Sequence, residues 1–99
     1  MEIAEFQRLI EAIYLEKDRA RGSAGTFQWF VEEVGELARA LRAGASGGDG
    51  RARMAEEFAD VLAWLSTLAS IHGVELEEAV GKYAGGCPKC QGRPCRCQE

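Results

Sequence analysis

Three long stretches of this chain space their apolar residues three and four positions apart, and no stretch alternates apolar with polar, so the chain reads as helices throughout. The first stripe is Ile3, Phe6, Leu9, Ile10, Ile13 and Tyr14, predicting a helix over 2–21. Arg21-Gly22-Ser23-Ala24-Gly25 breaks it, and Thr26 reads as the N-cap of a second helix running to about residue 43. Its stripe is Phe27, Phe30, Val31, Val34, Leu37, Ala38 and Leu41. The glycine-rich segment 44–50 reads as a flexible connection, and a third helix is expected over 53–71 on Met54, Phe58, Val61, Leu62, Leu65, Leu68 and Ala69. Gly73 stops it, a short fourth helix is expected over 75–83, and Gly85-Gly86 releases the chain into a cysteine-rich tail. The fold class is therefore all-α, an antiparallel four-helix bundle over 1–84 followed by a tail over 85–99. Its wide apolar faces invite a second subunit.

At 99 residues the chain makes one domain, and 46% hydrophobic with 28% charged residues is the balance of a globular protein. No apolar run approaches the roughly 18 residues of a membrane span, and acids stand near the N-terminus where a secretory signal carries bases. The expected location is cytoplasmic, with no membrane partner. A net charge of −4 argues against nucleic acid as a partner, since phosphate backbones are gripped by clustered Lys and Arg. An anionic ligand would have to bring its own cation.

Two windows near-copy each other: Val31-Glu32-Glu33-Val34-Gly35-Glu36-Leu37 and Ala55-Glu56-Glu57-Phe58-Ala59-Asp60-Val61. Helical geometry puts Glu33 and Glu36 about 60° apart on one border of the second stripe, and Glu57 and Asp60 likewise on the third. If the two stripes pack face to face, four carboxylates meet at the rim of the core. Like charges so placed must take up protons or gather a cation, and oxygen-only ligands suit magnesium or manganese. Glu32 and Glu56 lie about 100° further round. They are candidates for a second ion or simply solvated. A ferritin-type di-iron site needs Glu-x-x-His, which neither window supplies.

The run Phe27-Gln28-Trp29-Phe30-Val31-Glu32-Glu33-Val34-Gly35-Glu36-Leu37, followed by Glu57-Phe58-Ala59-Asp60-Val61-Leu62, resembles the MazG-like nucleoside triphosphate pyrophosphohydrolases, whose signature is E-E-x-x-E followed by E-x-x-D. The segment from Tyr14 to Thr26 is similar to the approach to that motif, so the resemblance covers residues 3–83. It implies a four-helix fold, dimeric or higher, that hydrolyses the α–β anhydride of (deoxy)nucleoside triphosphates, with magnesium held by Glu33, Glu36, Glu57 and Asp60. The role it implies is housecleaning of the nucleotide pool. In that chemistry the ion neutralises phosphate charge and lowers the pKa of an attacking water, while a free carboxylate oxygen takes the proton. No G-x-x-x-x-G-K-[ST] loop is present, so Lys17, Arg21 and Lys82 are the candidates for the remaining phosphate charge, against the plainer reading as surface cations. Trp29 and Trp64 flank the acid pairs and could stack a base or simply pack. Many relatives have a longer fourth helix, whereas here Val80-Gly81-Lys82-Tyr83 runs almost directly into the tail. Two other readings stay open: phosphoribosyl-ATP pyrophosphohydrolysis, and a non-catalytic metal-binding adaptor that docks through the tail.

All four cysteines lie in that tail, Cys87-Pro88-Lys89-Cys90 and Cys95-Arg96-Cys97. They offer four thiolates, enough for one tetrahedral zinc, against reducible disulfides or free thiols. The only histidine, His72, reads as a cation at the C-terminus of the third helix.

Overall fold

A computed structural model describes residues 1–44 and 48–98. It contains helices α1 (Ile3–Arg21), α2 (Ser23–Ala43), α3 (Gly50–Ile71) and α4 (Leu76–Val80), then one 3₁₀ turn, Gly81–Tyr83. There is no strand among the described residues. Regular structure ends at Tyr83. The centre of the glycine-rich connection, 45–47, lies outside the described residues. No described helix is long and apolar enough to cross a membrane.

The expected N-cap at Thr26 is corrected: α2 begins at Ser23, with Gly22 alone forming the corner from α1. Gly22 makes that corner at φ 90°, a region glycine enters without the Cβ penalty of other residues. Thr26 therefore falls inside α2, fully buried, its hydroxyl accepting from Arg21 Nη1 at 3.3 Å and donating to the Asp18 carbonyl at 3.5 Å. α3 also begins earlier than expected, at Gly50, because Arg51 and Ala52 are strong helix formers that carry it back.

α2 makes its largest contact with α3, and α1 packs on α3 more than on α2. The start of α2 meets the end of α3 where Ser23 Oγ lies 2.7 Å from His72 Nε2, so these two helices run antiparallel. His72 closes α3 as expected, its backbone N–H donating to the Leu68 and Ala69 carbonyls. α1 is latched to this same C-terminal end of α3 by Gln7. Its Nε2 donates to Ser70 Oγ (3.0 Å) and the Val74 carbonyl (2.9 Å), and its Oε1 accepts from the Leu76 N–H (2.9 Å). Ser70 in turn donates to Glu11 at 2.7 Å.

The interior is unexpectedly polar. Ile10 and Ala40 are its only buried apolar residues among those described, beside Gln7, Asp18, Thr26, Ser66, Thr67 and Ser70. Much of the second and third stripes read as core faces outward instead, with Phe27 and Phe58 each 53% exposed and Val31, Val34, Leu41, Leu62 and Leu65 also exposed, while Phe30, Leu37, Val61 and Leu68 are half-buried. The reason lies in the helical register. The inward line of α2 is Thr26, Glu33 and Ala40, and Phe27, Val34 and Leu41 each follow one of these by one position, about 100° round the helix. The radius of gyration, 16.0 Å, exceeds the roughly 13 Å of a compact domain of this length.

Candidate functional site

The inward line of α2 carries Glu33 to α3, where Glu57 and Asp60 stand on adjacent turns. Carboxylate oxygens of these three residues lie within 4.8 Å of one another. Glu57 Oε2 is buried and has no hydrogen-bond partner among the described residues. A buried, unpartnered carboxylate oxygen is costly unless something cationic or a donor completes it. Burial first, then the negative charges of Asp60, Glu57 and Glu36, push the Glu33 carboxyl above its ordinary 4.5, and the Trp64 indole N–H draws it part of the way back. Crowded acid oxygens, on residues one of which carries an orphaned oxygen, fit a hard divalent cation.

Glu36 is near enough to raise Glu33, yet its own carboxylate turns to Arg39, at 3.3–3.4 Å, one helical turn on. Thus the structure brings together three of the four expected acids and leaves Glu36 at the edge. Glu32 is exposed and outside the cluster.

Beside the acids opens a cleft of about 490 Å³, within the roughly 300–1,000 Å³ of small-molecule sites, sharing Asp60 with the cluster. Lys17, Arg21 and Trp29 line it, as do Tyr14, Asp18, Trp64 and Thr67. Arg21 is held by Asp18 at 2.9 Å and lies over the Trp64 ring, 5.3 Å from its centroid. The Trp29 and Trp64 rings stack on each other, centroids 6.2 Å apart and planes 10° from parallel. Lys82 is placed elsewhere, its Nζ over the Tyr83 ring at 5.1 Å. Sequence reasoning passed over Asp18, which is buried and orients Arg21. Its signal was there: positions 7, 11, 14, 18 and 21 form one line along α1, and polar residues recur on it.

The four cysteines form a second cluster, their sulfurs also within 4.8 Å of one another. Backbone N–H groups of Arg96 and Gly92 draw Cys90 down to about 6, while thiol contacts with Cys95, Cys87 and Cys90 push Cys97 up to about 11. Four thiols this close cannot all ionise without a counter-charge.

No curated protein matches the chain. The family model of the MazG nucleotide pyrophosphohydrolase domain matches residues 21–94, more than half of the chain, taking in α2, α3, α4, all three clustered acids and the first two cysteines. Nucleotide pyrophosphohydrolase activity is the general chemistry of that domain, and metal dependence is general to it. With the helical fold and the acid cluster in agreement, the chain belongs to the MazG nucleotide pyrophosphohydrolase family.

Proposed function

We propose that this protein hydrolyses the α–β anhydride of (deoxy)nucleoside triphosphates to a monophosphate and pyrophosphate, using magnesium or, in its place, manganese, and so clears surplus or non-standard nucleotides. The supporting observation is the convergence of Glu33, Glu57 and Asp60, together with a buried, unpartnered oxygen on Glu57 among the described residues. These three residues would hold the ion. Glu36 joins them by rotating away from Arg39, and Glu32 is the remaining acid for a second ion. Bound there, a divalent cation supplies neutralisation of phosphate charge and a more acidic water. A carboxylate oxygen of the cluster accepts the proton of the attacking water. Lys17 and Arg21 face the same cleft and meet the outer phosphates, with Asp18 fixing the Arg21 guanidinium. Since the indoles of Trp29 and Trp64 stack on each other, a base stacks on the outer face of Trp29 rather than between them. Lys82 is left out because it sits over Tyr83.

A second copy of the chain is part of this reading. Phe27, Val31, Val34 and Leu41 on α2 and Phe58, Leu62 and Leu65 on α3 form exposed stripes on antiparallel helices, and a two-fold partner would meet the same stripes in itself.

The test is a panel of common and damaged triphosphates, with phosphoribosyl-ATP included, assayed with magnesium and resolved by chromatography. Monophosphate plus pyrophosphate from triphosphates supports the reading. Release of inorganic phosphate with a diphosphate overturns it, turnover of phosphoribosyl-ATP alone moves the activity to that substrate, and metal binding without any turnover leaves an adaptor.

A further inference from the structure

We propose that Cys87, Cys90, Cys95 and Cys97 bind one structural zinc ion as a closed tetrathiolate, and that this ion holds residues 85–98 in their shape. The inference is independent of the phosphohydrolase site. The sulfur of Cys87 lies 3.6 Å from that of Cys95 and 3.7 Å from that of Cys97, and Cys90 lies 3.8 Å from Cys95. With zinc–sulfur bonds of about 2.3 Å, the edge of a regular tetrahedron is about 3.8 Å. Disulfides would pair the sulfurs at about 2.0 Å, but here Cys95 is almost equally close to two others.

The backbone is turned toward the sulfurs as well. The N–H groups of Gly92 (3.4 Å) and Arg96 (3.2 Å) donate to Cys90 Sγ, and that of Cys97 (3.3 Å) donates to Cys95 Sγ. Such donors orient thiolate ligands and spread their charge. To bring them there the chain folds back so tightly that a Cβ on Gly92 would lie 2.6 Å from the Pro94 carbonyl oxygen, and one on Gly86 2.7 Å from that of Gln91. Gly86 also has φ 106°. Nothing apolar holds this arrangement: Gly92 is the only buried residue in 85–98. A segment without a core takes one shape only through a cross-link or a metal.

Four sulfur ligands leave no open position, which makes the site structural rather than catalytic. Zinc suits it better than iron because Cys95 and Cys97 are exposed, and zinc has no redox chemistry to lose there. Among the described residues of the tail, 85–98, the charged side chains are Lys89, Arg93 and Arg96, opposite in sign to a zinc tetrathiolate.

The full chain, expressed and purified without chelator, is analysed for metals and titrated for thiols. One zinc per chain is expected, with the four thiols unreactive until a chelator is added. Cobalt in its place should show the intense visible and charge-transfer bands of tetrahedral thiolate coordination. Cys95→Ser should lose the zinc while the helical circular dichroism remains. Gly92→Ala, which keeps every thiol, should weaken zinc binding by about tenfold or more. Four freely reactive thiols in zinc-incubated protein, two disulfides in protein kept under reductant-free anaerobic conditions, or a red iron-loaded protein would each overturn the proposal.

Discussion

At the scale of single residues, the acids should separate by position. Glu33→Gln, Glu57→Gln and Asp60→Asn are each expected to lower kcat/KM by about 100-fold or more, the scale of losing a metal ligand or base, while Glu32→Gln costs far less. Steady-state kinetics at saturating magnesium checks this, and three variants with full turnover would dissolve the site. Stability carries a second signature. The Glu33 carboxyl is raised in the metal-free fold, so its favourable contribution is complete below 4.5 and is lost as pH rises through the folded value. Metal-free Glu33→Gln should therefore melt above the parent at neutral pH, with the gap closing as pH falls toward 4.5 and reversing when magnesium is added. Melting curves that stay parallel across that range would contradict it. The acid trio was legible because two like-spaced pairs on helices narrow the geometry sharply. The withdrawal of Glu36 was not, because Arg39 competes for it at i+3 and the outcome depends on side-chain rotation.

Among the elements, one buried side chain ties α1 to both the end of α3 and the start of α4. Gln7 is 1% exposed and satisfies Ser70, Val74 and Leu76 together, so Gln7→Ala strands buried polar groups and should destabilise the fold by about 2–3 kcal/mol in urea titration. Arg8→Ala, which breaks exposed pairs with Glu11 and Glu75, should stay within about 1 kcal/mol. A reversed order would mean that the latch is not Gln7. Further along, the tail's side-chain hydrogen bond to the chain before it is local, Arg93 donating to the Ala84 carbonyl just past the 3₁₀ turn, and no hydrogen bond among the described residues links it to the acid cluster. Cys90→Ser should accordingly keep magnesium-dependent hydrolysis within a few-fold of the parent in the same kinetic assay. Helix number, order and most ends could be read from apolar periodicity and glycine punctuation. The start of α2 could not: a serine-threonine segment offers several caps, and the one used depends on where the corner can turn, which Gly22 decides.

For the molecule as a whole, periodicity revealed that stripes exist but not which way they face, because the inward line of α2 holds Thr26 and Glu33 in place of large apolar residues. If the outward stripes meet a second copy, light scattering should give twice the chain mass, and the melting temperature should rise with protein concentration. Phe58→Asp together with Leu62→Asp should yield a monomer that melts much lower. A stable, concentration-independent monomer would overturn the pairing. The same inside-out distribution of oily and polar side chains has a calorimetric consequence. Heat capacity on unfolding tracks apolar surface newly wetted, about 12–15 cal/mol/K per residue for ordinary domains. A lone chain in which Ile10 and Ala40 are the only buried apolar residues among those described has much less such surface to give up. An ordinary increment, measured by scanning calorimetry, would therefore belong largely to the seam between two chains, and much of it should vanish in the Phe58/Leu62 double variant.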